Sequence, residues 1–105
     1  MIKIGTNFYL RNNEGELTHI AKTSSGWKPL FQAHKLFSSI KHLRWYWNNT
    51  NEEIVDEYGN EYKWKEFTDR VINFADDVNF QTHIGLHERY FSDEGGYEWT
   101  YDDFR

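Results

Sequence analysis

The first ten residues alternate in character. Ile2, Ile4, Phe8 and Leu10 fall on one side of an extended chain, and Lys3, Gly5, Asn7 and Tyr9 on the other. That period of two predicts a half-buried strand. Asn12-Asn13-Glu14-Gly15 is turn chemistry, because Asn and Gly tolerate positive φ. Residues 17–22 then return as the hairpin partner, with Leu17, His19 and Ala21 on one face and Ile20 on the other. After Ser24-Ser25-Gly26, residues 30–34 predict a third strand. Pro29 belongs at its start or at an edge, since proline has no amide hydrogen to give. Ser38 and Ser39 are N-cap residues for a helix to Asn48, with Ile40, Leu43 and Trp47 as its core stripe and Lys41 and Arg44 pointing away.

Residues 54–62 read as a short hairpin around Gly59-Asn60. Trp64, Phe67, Val71, Phe74 and Ala75 recur at helical spacing and predict a second helix over 63–76. Asp76 and Asp77 stand at its carboxyl end, where the helix dipole disfavours them. Residues 80–91 predict a strand of undefined register, and Asp93-Glu94-Gly95-Gly96 a turn. Tyr97, Trp99 and Tyr101 then share one face of a last strand, and Phe104 closes the chain. This order predicts an α+β fold: a single domain over 1–105, mainly an antiparallel sheet with two helices packed on it.

Composition changes this picture in two ways. The chain is 38% hydrophobic but 19% aromatic, so the core has to be built largely from rings, and some rings are left for the surface. The net charge of −5 is also unevenly laid out. Residues 17–51 hold no acid and five bases (Lys22, Lys28, Lys35, Lys41, Arg44), whereas residues 52–105 hold 15 acids and 5 bases. Interleaving into ordinary ion pairs is the simpler expectation, and segregated faces would attract partners of opposite sign. With no cysteine, disulfides and thiolate metal sites are excluded. No apolar run approaches membrane-spanning length and the amino terminus lacks a signal-peptide core, so the expectation is a cytoplasmic protein without membrane contact.

Thr18-His19-Ile20-Ala21 is echoed by Thr82-His83-Ile84-Gly85. Two-histidine phosphoesterases place such histidines on adjacent strands, each followed two residues later by Thr or Ser. Here Ala21 and Gly85 take those places, so the phosphate-holding hydroxyls are missing. More of the chain is covered by another likeness. Gly5-Thr6-Asn7-Phe8-Tyr9, the stretch from His19 through Lys22 to Trp27, Asp56-Glu57-Tyr58-Gly59, and Asp93-Glu94-Gly95-Gly96-Tyr97-Glu98-Trp99 together resemble a family of small uncharacterised bacteriophage proteins. Those open on Gly-Thr-Asn-Tyr-Tyr and continue with His-Ile-Gly-Lys-x-Ser-x-Gly-Trp. Many of these relatives look as if they hold a metal-binding cysteine pair where this chain has Arg11-Asn12-Asn13-Glu14-Gly15, and Ala21 replaces their usual glycine. The resemblance therefore implies a phage setting in the cytoplasm of an infected host, with no metal and no stated activity.

Two surfaces are candidates. The first is the loop of His19, Lys22, Ser24, Ser25, Trp27 and Lys28, which could engage a partner or cradle an anion between hydroxyls, backbone amides and lysines. It lacks the Gly-Lys-Ser/Thr of a P-loop. The second is an acidic interface of Asp93, Glu94, Glu98 and Asp102, with Glu98 and Asp102 both expected exposed. No nucleophile elbow surrounds a serine, and the five histidines are scattered or badly spaced for one metal, so no enzyme, cofactor or metal is expected. Acidity argues against direct nucleic-acid binding despite Trp27, Trp45 and Tyr46 among the bases. The resulting expectation is a phage accessory protein that binds a host protein, as an inhibitor of a defence nuclease such as a CRISPR effector. The alternative is a nucleotide- or phosphate-binding protein or phosphoesterase using residues 19–28.

Overall fold

The computed structural model describes residues 5–24, 26–75 and 80–103, and the side chains of Phe74 and Ala75 lie outside that description. Its frame is a mostly antiparallel sheet. Strand β1 (Gly5–Arg11), β2 (Leu17–Ser24), β3 (Trp27–Gln32), β4 (Glu53–Asp56), β5 (Glu61–Tyr62), β6 (Tyr90–Ser92) and β7 (Glu98–Thr100) stand in the order β5-β4-β1-β2-β3-β7-β6. Only the β3–β7 pair is parallel among them. Helices α1 (Ile40–Asn48) and α2 (Trp64–Arg70), with a 3-10 turn at Ile72–Ala75, bury Leu43, Phe67 and Val71 in one cluster with Phe8, Leu10, Ile20, Phe31 and Trp99 of the sheet. The expected α+β architecture is therefore present. No helix among the described residues is long and apolar enough to cross a membrane.

One turn design closes three of the hairpins. Asn12, Asp56 and Asp93 each accept hydrogen bonds on one side-chain oxygen from the backbone N–H two and four residues on. In each, the glycine three residues on donates to the carbonyl of the Asx residue, with φ of 81°, 87° and 84° at Gly15, Gly59 and Gly96. This is a type I turn followed by a left-handed residue, whose twist suits antiparallel strands. Glycine takes that conformation without the steric cost of a Cβ.

Register explains where the alternation reading fails. Phe8 pairs with Ala21 but Tyr9 with His19, so Ile20 is an extra residue in β2. A bulge of this kind lets two successive side chains serve one face. Ile20 and Ala21 both enter the core, and His19 is thrown to the opposite face, stacked on Tyr9 at 4.7 Å. Pro29 lies inside β3 rather than at its start, within the irregularity where β2 spans Lys22 to Ser24 while β3 spans Trp27 to Leu30. A bulge tolerates the missing N–H.

Two further expectations are corrected. Residues 80–89 are not a strand. Only Gln81 bridges, to Trp27, and a turn closed by Leu86 N–H to the His83 carbonyl follows before β6 begins at Tyr90. The second helix ends at Arg70: Val71 leaves helical geometry (φ −122°, ψ −59°) and the chain tightens into the 3-10 turn. Val71 and Ile72 are both buried at this change of geometry. Asp76, Asp77 and Phe104 lie outside the described residues. The first helix matches expectation, with the Ser39 hydroxyl capping His42 N–H at 3.2 Å and Lys41 and Arg44 exposed.

Candidate functional site

Three places on this frame carry chemistry. The first is the sheet face opposite the helices. The bulges in β2 and β3 put His19, Lys22 and Trp27 on that face. Residues 80–83 run beside the start of β3, so that His83 stacks on Trp27 at 4.8 Å. Of the two echoed histidines, His19 stands on β2 and His83 in the segment that runs beside β3, so they do not lie on adjacent strands. Burial depresses the His19 pKa to about 4, helped by Lys22 and His34 and opposed by a backbone hydrogen bond at Ala21 and by Glu57. Burial likewise lowers His83, against the bond to the Lys28 carbonyl, and both rings are neutral at pH 7. Since that carbonyl only accepts, His83 Nε2 carries the proton at 3.1 Å and Nδ1 is the free base nitrogen.

Among the residues expected for this surface, Lys28 contributes chiefly its backbone, which bonds Gln81 and His83. Ser24 pairs with Trp27 across the hairpin, and Ser25 lies outside the described residues. The face carries Lys22 and the two imidazoles, with the Glu98 carboxylate on the same side of the sheet accepting from the His83 N–H. No described group of three or more His, Asp or Glu is placed to hold a metal ion.

The second place is the expected acidic interface, and the structure dismantles it. Glu98 is buried, 4% exposed, with its carboxylate accepting from Thr82 Oγ1 and from the His83 N–H at 2.7 Å. Its position on β7 faces the side of the sheet that residues 80–83 cover, which is why the exposure expected of Glu98 fails. Asp93 accepts four hydrogen bonds: Gly95 and Tyr97 N–H on Oδ1, and Ile40 N–H and Trp99 Nε1–H on Oδ2. It fastens the β6–β7 turn to the start of α1 and to the core tryptophan. Asp102 pairs with Arg89, and Glu94 is exposed. These four acids do not form one surface.

The third place was only half legible. At the open β5 edge, Glu52, Glu53, Glu61 and Glu66, with Lys63 among them, surround a depression of about 360 Å³ walled by Trp47 and Tyr62. Arg11 draws Glu53 and Glu61 together at 3.3 and 2.8 Å, and both carboxylates stay at least half exposed. Glu52 accepts from Tyr46 OH at 2.6 Å, which with burial lifts that phenol to about 12. Glu66 caps the Lys63 N–H. The run of acids was visible in sequence, but nothing in it says that Trp47, from the end of α1, joins them. No family model matches the chain, and neither a curated protein nor a solved structure matches it.

Proposed function

We propose that the protein acts by binding another protein, as a phage-type accessory factor that inhibits a host defence nuclease such as a CRISPR effector. The observation that carries this reading is the acidic depression at the β5 edge, where four carboxylates and Lys63 from β4, β5, α2 and the loops beside them line a hollow with Trp47 and Tyr62. A nuclease groove built for phosphates is basic, and carboxylates held at fixed spacing present it with matching charge. Rings at the centre of such a patch supply the apolar anchor. The net charge of −5 favours encounter with a basic surface, and complementarity of this kind acts mainly on association rate and register. The test is target cleavage by a panel of purified CRISPR effectors, with and without the protein. Glu53→Gln, Glu61→Gln and Glu66→Gln combined keeps shape and hydrogen bonding while removing three charges. The wild type should block one effector in a salt-dependent way, and the triple variant should associate at least about tenfold more slowly. Inhibition indifferent to the triple variant and to salt would sink the reading.

A second reading rests on a different observation, the outer sheet face that carries Lys22 together with His19 stacked on Tyr9 and His83 stacked on Trp27. It makes the outer sheet face a site for a phosphate-bearing ligand. Phosphate-bearing ligands that raise the melting temperature of the wild type but not of Lys22→Ala would favour it over protein binding.

A further inference from the structure

A groove of about 430 Å³ opens between α1, α2 and the β6–β7 turn, away from both surfaces above. Its floor is apolar and ringed: Ile40, Trp64, Ile72 and Tyr97. The Tyr97 ring forms a wall because residue 95 is glycine, where a Cβ would stand 2.9 Å from the ring. One rim carries Lys41 and Arg44. These are three apart on a helix, so their side chains leave the same face about 5–6 Å apart at Cβ, a spacing that one phosphate or carboxylate can bridge. Among the described residues neither cation is in an ion pair. The opposite rim holds Glu94 and Asp93, whose carboxylate already accepts from four N–H groups but keeps its charge, and Asn73 also lines the groove. Thr68 also lines the groove, and its Oγ1 is buried without a hydrogen-bond partner.

We infer that this groove binds a small aromatic anion: a planar ring over Trp64 and Tyr97, carrying a phosphate or carboxylate held by Lys41 and Arg44. The volume falls in the range of small-molecule sites, which pair apolar walls with a few convergent polar groups. The two cations share one rim and the carboxylates of Asp93 and Glu94 the other, so the anionic group of the ligand belongs on the α1 side. Glu94 and Thr68 would meet hydroxyl or N–H groups on the ring or its sugar.

The test is NMR titration and calorimetry on the whole chain, with adenosine 5′-monophosphate and indole-3-acetate as probes. Adenosine and inorganic phosphate serve as the separate halves. The inference expects at least one aromatic anion to shift the Trp64 indole and Tyr97 resonances at millimolar concentration. It should bind at least about tenfold tighter than either half, and Lys41→Ala with Arg44→Ala should remove about tenfold or more of that affinity with the melt unchanged. The two probes distinguish phosphate from carboxylate. Three results would each overturn it: no shift at Trp64 with either anion, phosphate alone binding as well as the nucleotide, or shifts confined to the His19–Lys22 face and indifferent to the double variant.

Discussion

Asp93 makes the clearest case at the scale of a single residue. Its carboxylate takes N–H donors from its own turn, from the first residue of α1 and from the indole of fully buried Trp99. Hydrogen bonds to a charged group contribute about 1.5–3 kcal/mol each, and orphaned buried donors cost more than exposed ones. Asp93→Ala should therefore lose about 3 kcal/mol or more in urea unfolding, whereas Asp102→Ala, which removes one half-exposed ion pair, should stay within about 1 kcal/mol. Equal effects would mean that the Asp93 contacts do not matter to folding. His19 supplies a pH dependence of known sign. Its folded pKa is about 4 against 6.5 for a free imidazole, so between those values the unfolded chain binds a proton that the folded one does not. Stability should fall as pH is lowered through that window, and His83 adds to the slope in the same direction. For Asp56, burial alone would raise the pKa, but hydrogen bonds from Asn60, Tyr62 and Tyr58 outweigh it and hold it below 3.8. Its stabilisation is present above 3.8 and is lost only as pH falls further. His19→Phe, which keeps a ring over Tyr9, should flatten the slope between pH 6.5 and 4 in unfolding titrations. An unchanged slope would remove His19 as its source.

The repeated turn is the element whose logic was most open to reading. Asn12 with Gly15, Asp56 with Gly59, and Asp93 with Gly96 state it in residue types alone, because an Asx side chain and a left-handed glycine are local requirements. At each of these glycines a Cβ would meet open space, so the cost of Ala is conformational only. Gly59→Ala and Gly96→Ala should each lower stability by about 1–2 kcal/mol and add in the double variant, since the turns share no hydrogen bond in the structure. Marked non-additivity in the unfolding midpoint would show the hairpins to be coupled. What the chain does over longer range was not legible, and the reason is physical. The extra residue at Ile20 is fixed by cross-strand register, not by local pattern, and it decides that His19 faces away from the core. The helical spacing from Trp64 onward does not show the end of α2 at Arg70, because Val71 and Ile72 stay buried through the change of geometry. The segment after Gln81 has β-type side chains but bonds β3 at one bridge only, so composition misled. Of the candidate loop, the sequence located His19, Lys22 and Trp27. It hinted at His83 through the echo alone, and the acidic set split because β7 buries one of its faces under residues 82–83.

Across the whole molecule, the charge asymmetry survives folding in part. Among the described residues, Lys28, Lys35, Lys41 and Arg44 enter none of the ion pairs, which instead join Arg11 to Glu53 and Glu61, Lys65 to Asp69, and Arg89 to Asp102. The depression gathers four acids with Lys63, and the groove holds Lys41 and Arg44 on the rim opposite Asp93 and Glu94. The two places are not mechanically separate, however. Trp47 walls the depression, Trp64 floors the groove, and their rings meet at 5.9 Å. Charge effects fade over a Debye length of about 8 Å at physiological salt, while packing is transmitted through ring contact. This distinction predicts a pattern across variants. Neutralising Glu53, Glu61 and Glu66 should slow association with the protein partner and leave binding of the aromatic anion unchanged. Removing Lys41 and Arg44 should do the reverse. Trp64→Leu, which keeps apolar bulk but loses the ring, should weaken both, because it strips the groove of its stacking surface and leaves Trp47 without its support. Calorimetry with the anion and surface-plasmon kinetics with the partner read the two sites separately. A Trp64→Leu protein that binds its partner at the wild-type rate would show the sites to be independent, and the depression to draw its rigidity from Tyr62 and the β4–β5 hairpin alone.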